Sequence, residues 1–143
     1  MATGSNDVMA QVMDVLTGIR TEEGYRNTVA LVTQEALSFG QVGRFPALSV
    51  RVLRERVTSF PARRRRRVLR ILVTGFVRPP AGADKFEAAR DLMADVDEAL
   101  MGDPSLGGRA VFTQAREARM DAASHENGAR ASCLFEVVLH ESV

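Results

Sequence analysis

The residues of this chain whose chemistry could carry a function are two histidines, one cysteine, a band of carboxylates and a run of arginines. His125 falls in an expected turn, and His140 on the polar side of the last expected strand. Neither has a partner at the spacing a metal site requires, so both read as surface histidines. Cys133 lies on the apolar side of its strand, where a thiol is structural; a nucleophile needs an exposed, electropositive setting. Being alone, it also excludes an intramolecular disulfide and a cysteine-based metal cluster. Asp91, Asp95, Asp97 and Glu98 invite an acid–base or metal reading, but their spacing puts them on the solvent side of a helix. There, carboxylates one turn apart form a solvated or partner-facing patch. Gly102, Gly107 and Gly108 match neither the G-x-G-x-x-G fingerprint nor the phosphate-cradling P-loop, and the Gly107-Gly108 pair precedes a strand, whereas such cradles precede a helix. No convergent catalytic set emerges, and the expectation is a protein that is not an enzyme and uses no cofactor or metal.

The sharpest polar feature is the uninterrupted run Arg63, Arg64, Arg65, Arg66 and Arg67. A charge run of this kind can be a solvated loop or edge, a contact for phosphates, or a contact for an acidic neighbour. Nucleic-acid readers add stacking aromatics or a groove-reading helix, and neither accompanies the run. The more economical functional reading is contact with an acidic surface, such as the Asp91, Asp95 and Glu98 patch of another copy.

The elements that must position these groups are legible from periodicity. From Ser5 or Asn6 to about Arg20, Val8, Val12, Val15, Leu16 and Ile19 recur at helical spacing, widened by Met9 and Met13. After the turn at residues 21–24, Tyr25 to Thr33 alternates as a half-buried strand. Residues 36–46 read as an ordered loop around Phe39 and Phe45, and Leu48, Val50 and Val52 open a second strand that can run on to Val57. Val68 to Val77 is apolar on both sides, with Leu69, Ile71 and Val73 on one and Leu72 and Phe76 on the other. Such a strand is central in its sheet or covered on both faces. Asp84 and Glu87 have capping-box spacing and open a helix to Met101, whose stripe is Phe86, Ala89, Leu92, Met93, Val96 and Leu100. Gly102 and Pro104 end it. Residues 109–119 alternate weakly. In the last strand, residues 129–140, Ala131, Cys133, Phe135, Val137 and Leu139 oppose Arg130, Ser132, Glu136 and His140. Asn127-Gly128 supplies the hairpin turn between the two. The expected order is α-β-β-β-α-β-β: an α+β fold with a mainly antiparallel sheet packed against two helices.

Bulk properties fit one domain spanning residues 1–143. A hydrophobic fraction of 45% and a charged fraction of 26% are ordinary for a globular chain. The net charge of +1 argues neither for nor against a nucleic-acid partner. Lys85 is the only lysine among the basic residues, read as coding bias before interface chemistry. No apolar run approaches the ~20 residues of a membrane span, and no secretory-signal pattern opens the sequence; the lone Cys133 fits a protein made in a reducing compartment.

Taken together, several segments resemble a known family. They are Gly24-Tyr-Arg-Asn-Thr-Val29, Phe45-Pro-Ala-Leu-Ser-Val50, the strand Arg70-Ile-Leu-Val-Thr-Gly-Phe-Val77, the helix with Ala94-Asp-Val-Asp-Glu-Ala-Leu100, and Asp103-Pro-Ser-Leu-Gly-Gly108. This pattern, from about Tyr25 to Leu139, resembles the tail terminator (tail completion, minor tail) proteins of long-tailed bacteriophages and related particles such as gene transfer agents. The resemblance implies a small α+β protomer, made in a bacterial host cytoplasm, that assembles as a homo-hexameric ring at the head–tail junction of a virion. It implies that the ring caps the tail tube, stops tube polymerisation, and joins the tail to a head–tail connector protein. DNA passes through its lumen without being read in sequence, and no residue is catalytic. The first helix and the run at residues 63–67 belong to no part of the family pattern. A stopper or adaptor at the same joint, and a small arginine-rich DNA-binding regulator, are the competing readings.

Overall fold

A computed structural model of the chain describes residues 4–60, 64–103, 105, 112–125 and 128–142, with side chains described for residues 4–58, 65–103, 105 and 128–140. Arg63, the loop around Gly107-Gly108 and Asn127 therefore lie outside the described residues. The elements are α1 (Ser5–Thr17), β1 (Leu31–Thr33), β2 (Ala47–Phe60), β3 (Arg64–Val77), α2 (Lys85–Met101), β4 (Phe112–His125) and β5 (Gly128–Ser142). They build a five-stranded sheet in the order β1-β2-β3-β5-β4. Only β1 and β2 run parallel; the other three pairs are antiparallel. The architecture is the α+β arrangement expected from the sequence, with β3 third of five strands.

Both helices cover one face of the sheet. Leu48 and Val50 of β2, Leu69, Ile71 and Val73 of β3, and Ala131, Cys133, Phe135, Val137 and Leu139 of β5 are buried beneath them. From above, α1 contributes Val8, Met9, Val12 and Leu16, and α2 contributes Ala89, Leu92, Val96, Ala99 and Leu100. The α2 N-terminus is capped as its sequence requires: Asp84 Oδ1 accepts from the backbone N–H of Phe86 and Glu87 at 2.9 and 3.2 Å. At Gly75 of β3 the helix comes so near that an added Cβ would stand 2.7 Å from Leu92 Cδ2 and Met93 Cε. Only glycine allows that approach without displacement.

Several element boundaries differ from the sequence expectation, each for a long-range reason. The strand expected from Tyr25 shrinks to Leu31–Thr33. The backbone N–H groups ahead of it are committed elsewhere: Arg26 and Asn27 to Asp95, Val29 to the Ile19 carbonyl, and Ala30 to the Pro46 carbonyl. Gly24 turns the chain into this segment with φ 90°, a left-handed conformation. In β3 the strand starts at Arg64, so Arg64, Arg65, Arg66 and Arg67 are sheet residues and not a loop ahead of the sheet. His125, expected in a turn, closes β4 opposite Gly128.

Among the described residues, the second face of the sheet carries a cover at one end. The segment between β1 and β2 folds over it and buries Phe39 and Val42 against Ala47 and Phe76, with Leu31, Leu37 and Phe45 alongside. The Arg78 guanidinium stacks over the Phe45 and Phe39 rings at 4.7 and 5.2 Å from their centroids. The Phe45–Pro46 peptide bond in this segment is cis. The double-sided apolarity of β3 thus has two causes: the helix layer over Ile71, and this short cover over Phe76.

Candidate functional site

Beyond the Phe76 cover, the β2 and β3 part of the face turned away from the helices is open and lined with arginine, whereas Val138 and Glu136 of β5 on the same face are buried. Its composition depends on a β-bulge. Along β2, Arg51 pairs with Leu72 and Val52 with Ile71, but Arg54 then pairs with Arg70, so Leu53 is an extra residue. The insertion switches the alternation and brings Arg54 and Arg56 onto the same face as Arg51. Register adds Arg66 and Arg70 from β3, and Arg130 from β5 beside Phe76. Among the described side chains Glu136, 8% exposed, is the carboxylate of this face, with Oε2 3.9 Å from Arg70 Nε.

Two shallow basins mark this face. One, of about 300 Å³, is walled by Arg54, Arg56, Thr58, Arg66, Val68, Arg70 and Glu136. The other, of about 270 Å³, is walled by Ala36, Leu37, Ser49, Arg51, Leu72, Thr74, Arg130 and Ser132. Guanidinium and hydroxyl groups, donors suited to anionic oxygen, predominate among the polar lining groups, beside the Glu136 carboxylate and apolar side chains such as Val68 and Leu72. The helix side has the opposite sign. Asp7, Asp14, Glu22, Glu23, Asp84, Glu87, Asp97 and Glu98 are exposed there, with Asp91 half-buried, against Arg20, Arg26, Lys85 and Arg90. Among the described side chains, the two sides of the sheet thus differ in their prevailing sign of charge.

The residues singled out in the sequence are distributed differently from the expectation. The arginine run splits by strand alternation. Arg66 joins the open face, whereas Arg65 and Arg67 share the face of Leu69. Arg67 Nη1 pairs with Glu55 at 2.8 Å, and Glu55 is also the acceptor for the Ser5 hydroxyl at the start of α1. Arg64 is paired in register with Phe60 and Ser142. Asp95 is a correction: it is 0% exposed and no part of a solvent face. Its carboxylate accepts from the Arg26 and Asn27 backbones, from Asn27 Nδ2, and from Arg26 Nη1. Glu98 keeps an exposed position but pairs with Arg26 at 2.9 Å. Glu98 and then Asp95 push the Arg26 guanidinium further above its already high range.

Cys133 is buried, and desolvation, with the charge of Asp97, pushes its thiol up to about 11. His140 is exposed on the open face, opposite Arg66. Among the described residues no group of three or more histidine, cysteine or acidic side chains is placed to hold a metal, and no helix is long and apolar enough to cross a membrane.

No protein-family model matches the sequence, and no curated protein matches it. Among solved structures, one chain of "Virion of native gene transfer agent (GTA) particle" superposes with a TM-score of 0.53 over 94% of this chain and 92% of its own, at 17% identity. The fold is shared with a virion chain. At that identity the likeness is one of fold, and it extends nearly end to end on both sides.

Proposed function

We propose that this protein is a non-catalytic structural protein of a phage-like particle, and within it the tail terminator. The observation that carries the reading is the nearly end-to-end fold likeness to a chain of a gene transfer agent virion, which coincides with the residue pattern that resembles tail terminators. On this reading, about six copies close into a ring on the head-proximal end of the tail tube. One side of the ring stops the tube from growing, the other receives the head–tail connector, and DNA crosses the lumen unread. Two features of the protomer suit such assembly. Val52, Leu53 and Val57 expose 41%, 53% and 44% of their surface along β2, an apolar strip available to a neighbouring subunit or tube protein. Outside the open arginine face, Arg65 and the acidic helix surface supply opposite charges suited to head-to-tail contacts between copies. Arg65, Asp91 and Glu98 remain candidate contacts of that kind, whereas buried Asp95 acts within the protomer.

The test is the solution mass of the purified protein by light scattering, with and without tail-tube protein from the same gene neighbourhood. A ring of about six copies, formed alone or on adding tube protein, supports the reading. A monomer indifferent to tube protein overturns it. Particles lacking the protein separate terminator from stopper or adaptor: over-long tubes are the terminator outcome, while tubes of normal length left unjoined to heads identify a connector.

A further inference from the structure

We infer that the open arginine face of the sheet is a docking surface for the phosphodiester backbone of double-stranded DNA, bound without sequence preference. The inference deepens the virion reading and rests on it for the presence of DNA beside the protein.

The charge arrangement is the first support. Arg54 and Arg70 are direct cross-strand partners, and like charges so placed are destabilising; Glu136 lies 3.9 Å from Arg70 Nε and offsets one of the guanidinium charges on this face, leaving an excess that an external anion can screen. Along β2, Arg54 and Arg56 are two residues apart, about 7 Å, and the Arg70 strand lies about 5 Å to the side. This grid of donors from Arg51 to Arg56 is about 17 Å long, and a duplex carries roughly ten phosphate charges over that length.

The chemistry between the arginines is the second support. Thr58, Thr74 and Ser132 add hydroxyls. The apolar Val68 and Leu72 are each set opposite an arginine, Arg56 and Arg51. A protein interface is built around an apolar, charge-depleted centre, whereas a DNA interface is polar and strongly positive. The exposed apolar Val52 and Val57 fall on the other side of β2, leaving this face to the phosphate. Among the described residues no aromatic side chain lines either basin, whereas base stacking is the usual grip on single strands. The acidic helix side repels the duplex and turns the basic face toward it.

The test is fluorescence anisotropy of a labelled mixed-sequence duplex with the isolated protein, at about 50 and 200 mM salt. With four or five phosphates engaged, the expected loss of affinity over that interval is on the order of 10²-fold. The variants Arg54→Gln/Arg56→Gln and Arg66→Gln/Arg70→Gln should each lower the logarithmic salt slope by about two, with the far-UV spectrum unchanged. Arg20→Gln/Arg90→Gln, on the helix side, should leave it unaltered. No duplex binding, or binding indifferent to both open-face variants, overturns the inference. So does equal binding of polyglutamate, which would assign the face to an acidic protein. The open-face variants should still cap tube protein, so a loss of DNA binding with capping intact separates this inference from the terminator reading.

Discussion

The carboxylate of Asp95, in the middle of α2, accepts a hydrogen bond from the backbone N–H of Asn27 at 2.9 Å, across 68 residues of sequence. With the Arg26 N–H at 3.0 Å and Asn27 Nδ2 at 2.9 Å, it ties the helix layer to the segment leading into β1. Asp95→Ala strands these donors in a buried site and should destabilise the fold by about 3 kcal/mol. Asp95→Asn should cost less, because an amide oxygen still accepts. Glu98→Ala, removing an exposed pair, should change stability by less than about 1 kcal/mol. Urea denaturation of the three variants checks the order.

Two glycines hold close contacts that a methyl group would break. At Gly128 an added Cβ would collide with the Phe39 ring and stand 2.9 Å from the Val77 carbonyl, a backbone atom that cannot step aside. At Gly75 the obstacles are the mobile ends of Leu92 and Met93. Gly128→Ala should therefore destabilise by about 2–3 kcal/mol and Gly75→Ala by about 1 kcal/mol, read from thermal melts. An equal cost at the two sites would contradict this account of the packing.

Glu55 binds the Ser5 hydroxyl and Arg67, and these interactions, the first the larger, hold its carboxyl below the usual range. A depressed folded pKa contributes stability above the ordinary glutamate value of about 4.3, and that contribution fades as pH falls through the lower folded value. Ser5→Ala should move the Glu55 titration upward, measured by carboxyl NMR, and shift the acid-unfolding limb to slightly higher pH.

Cys133 should resist thiol reagents in the folded protein at pH 8 and react fully in denaturant. Its raised folded pKa, about 11, means the neutral thiol is the folded form. The associated stability is intact below the unfolded thiol value of about 8.5 and is lost as pH rises from there toward 11. Cys133→Ser, which buries a hydroxyl, should cost about 1–3 kcal/mol; reaction of the native protein at the unfolded rate would show the thiol to be accessible.

The order of elements could be read from the chain because it rests on local periodicity. The side of β5 that carries Cys133, Phe135 and Val137, the stripe of α2 and the Asp84 cap each follow from residues within one or two turns or a few strand positions.

What periodicity could not supply was pairing at a distance. Strict alternation would put Arg54 and Arg56 on the Val52 side of β2; the bulge at Leu53, visible only in the register against β3, puts them with Arg51, Arg66 and Arg70. Spacing on α2 likewise marked Asp95 as one more outward carboxylate. Its burial depends on backbone donors at Arg26 and Asn27, whose position the helix sequence does not encode. The sequence by itself determined which elements form and which residues each must bury, because those are properties of neighbouring residues. The tertiary structure alone decided which charges share a surface and which become internal, because register and burial are set by contacts between segments tens of residues apart.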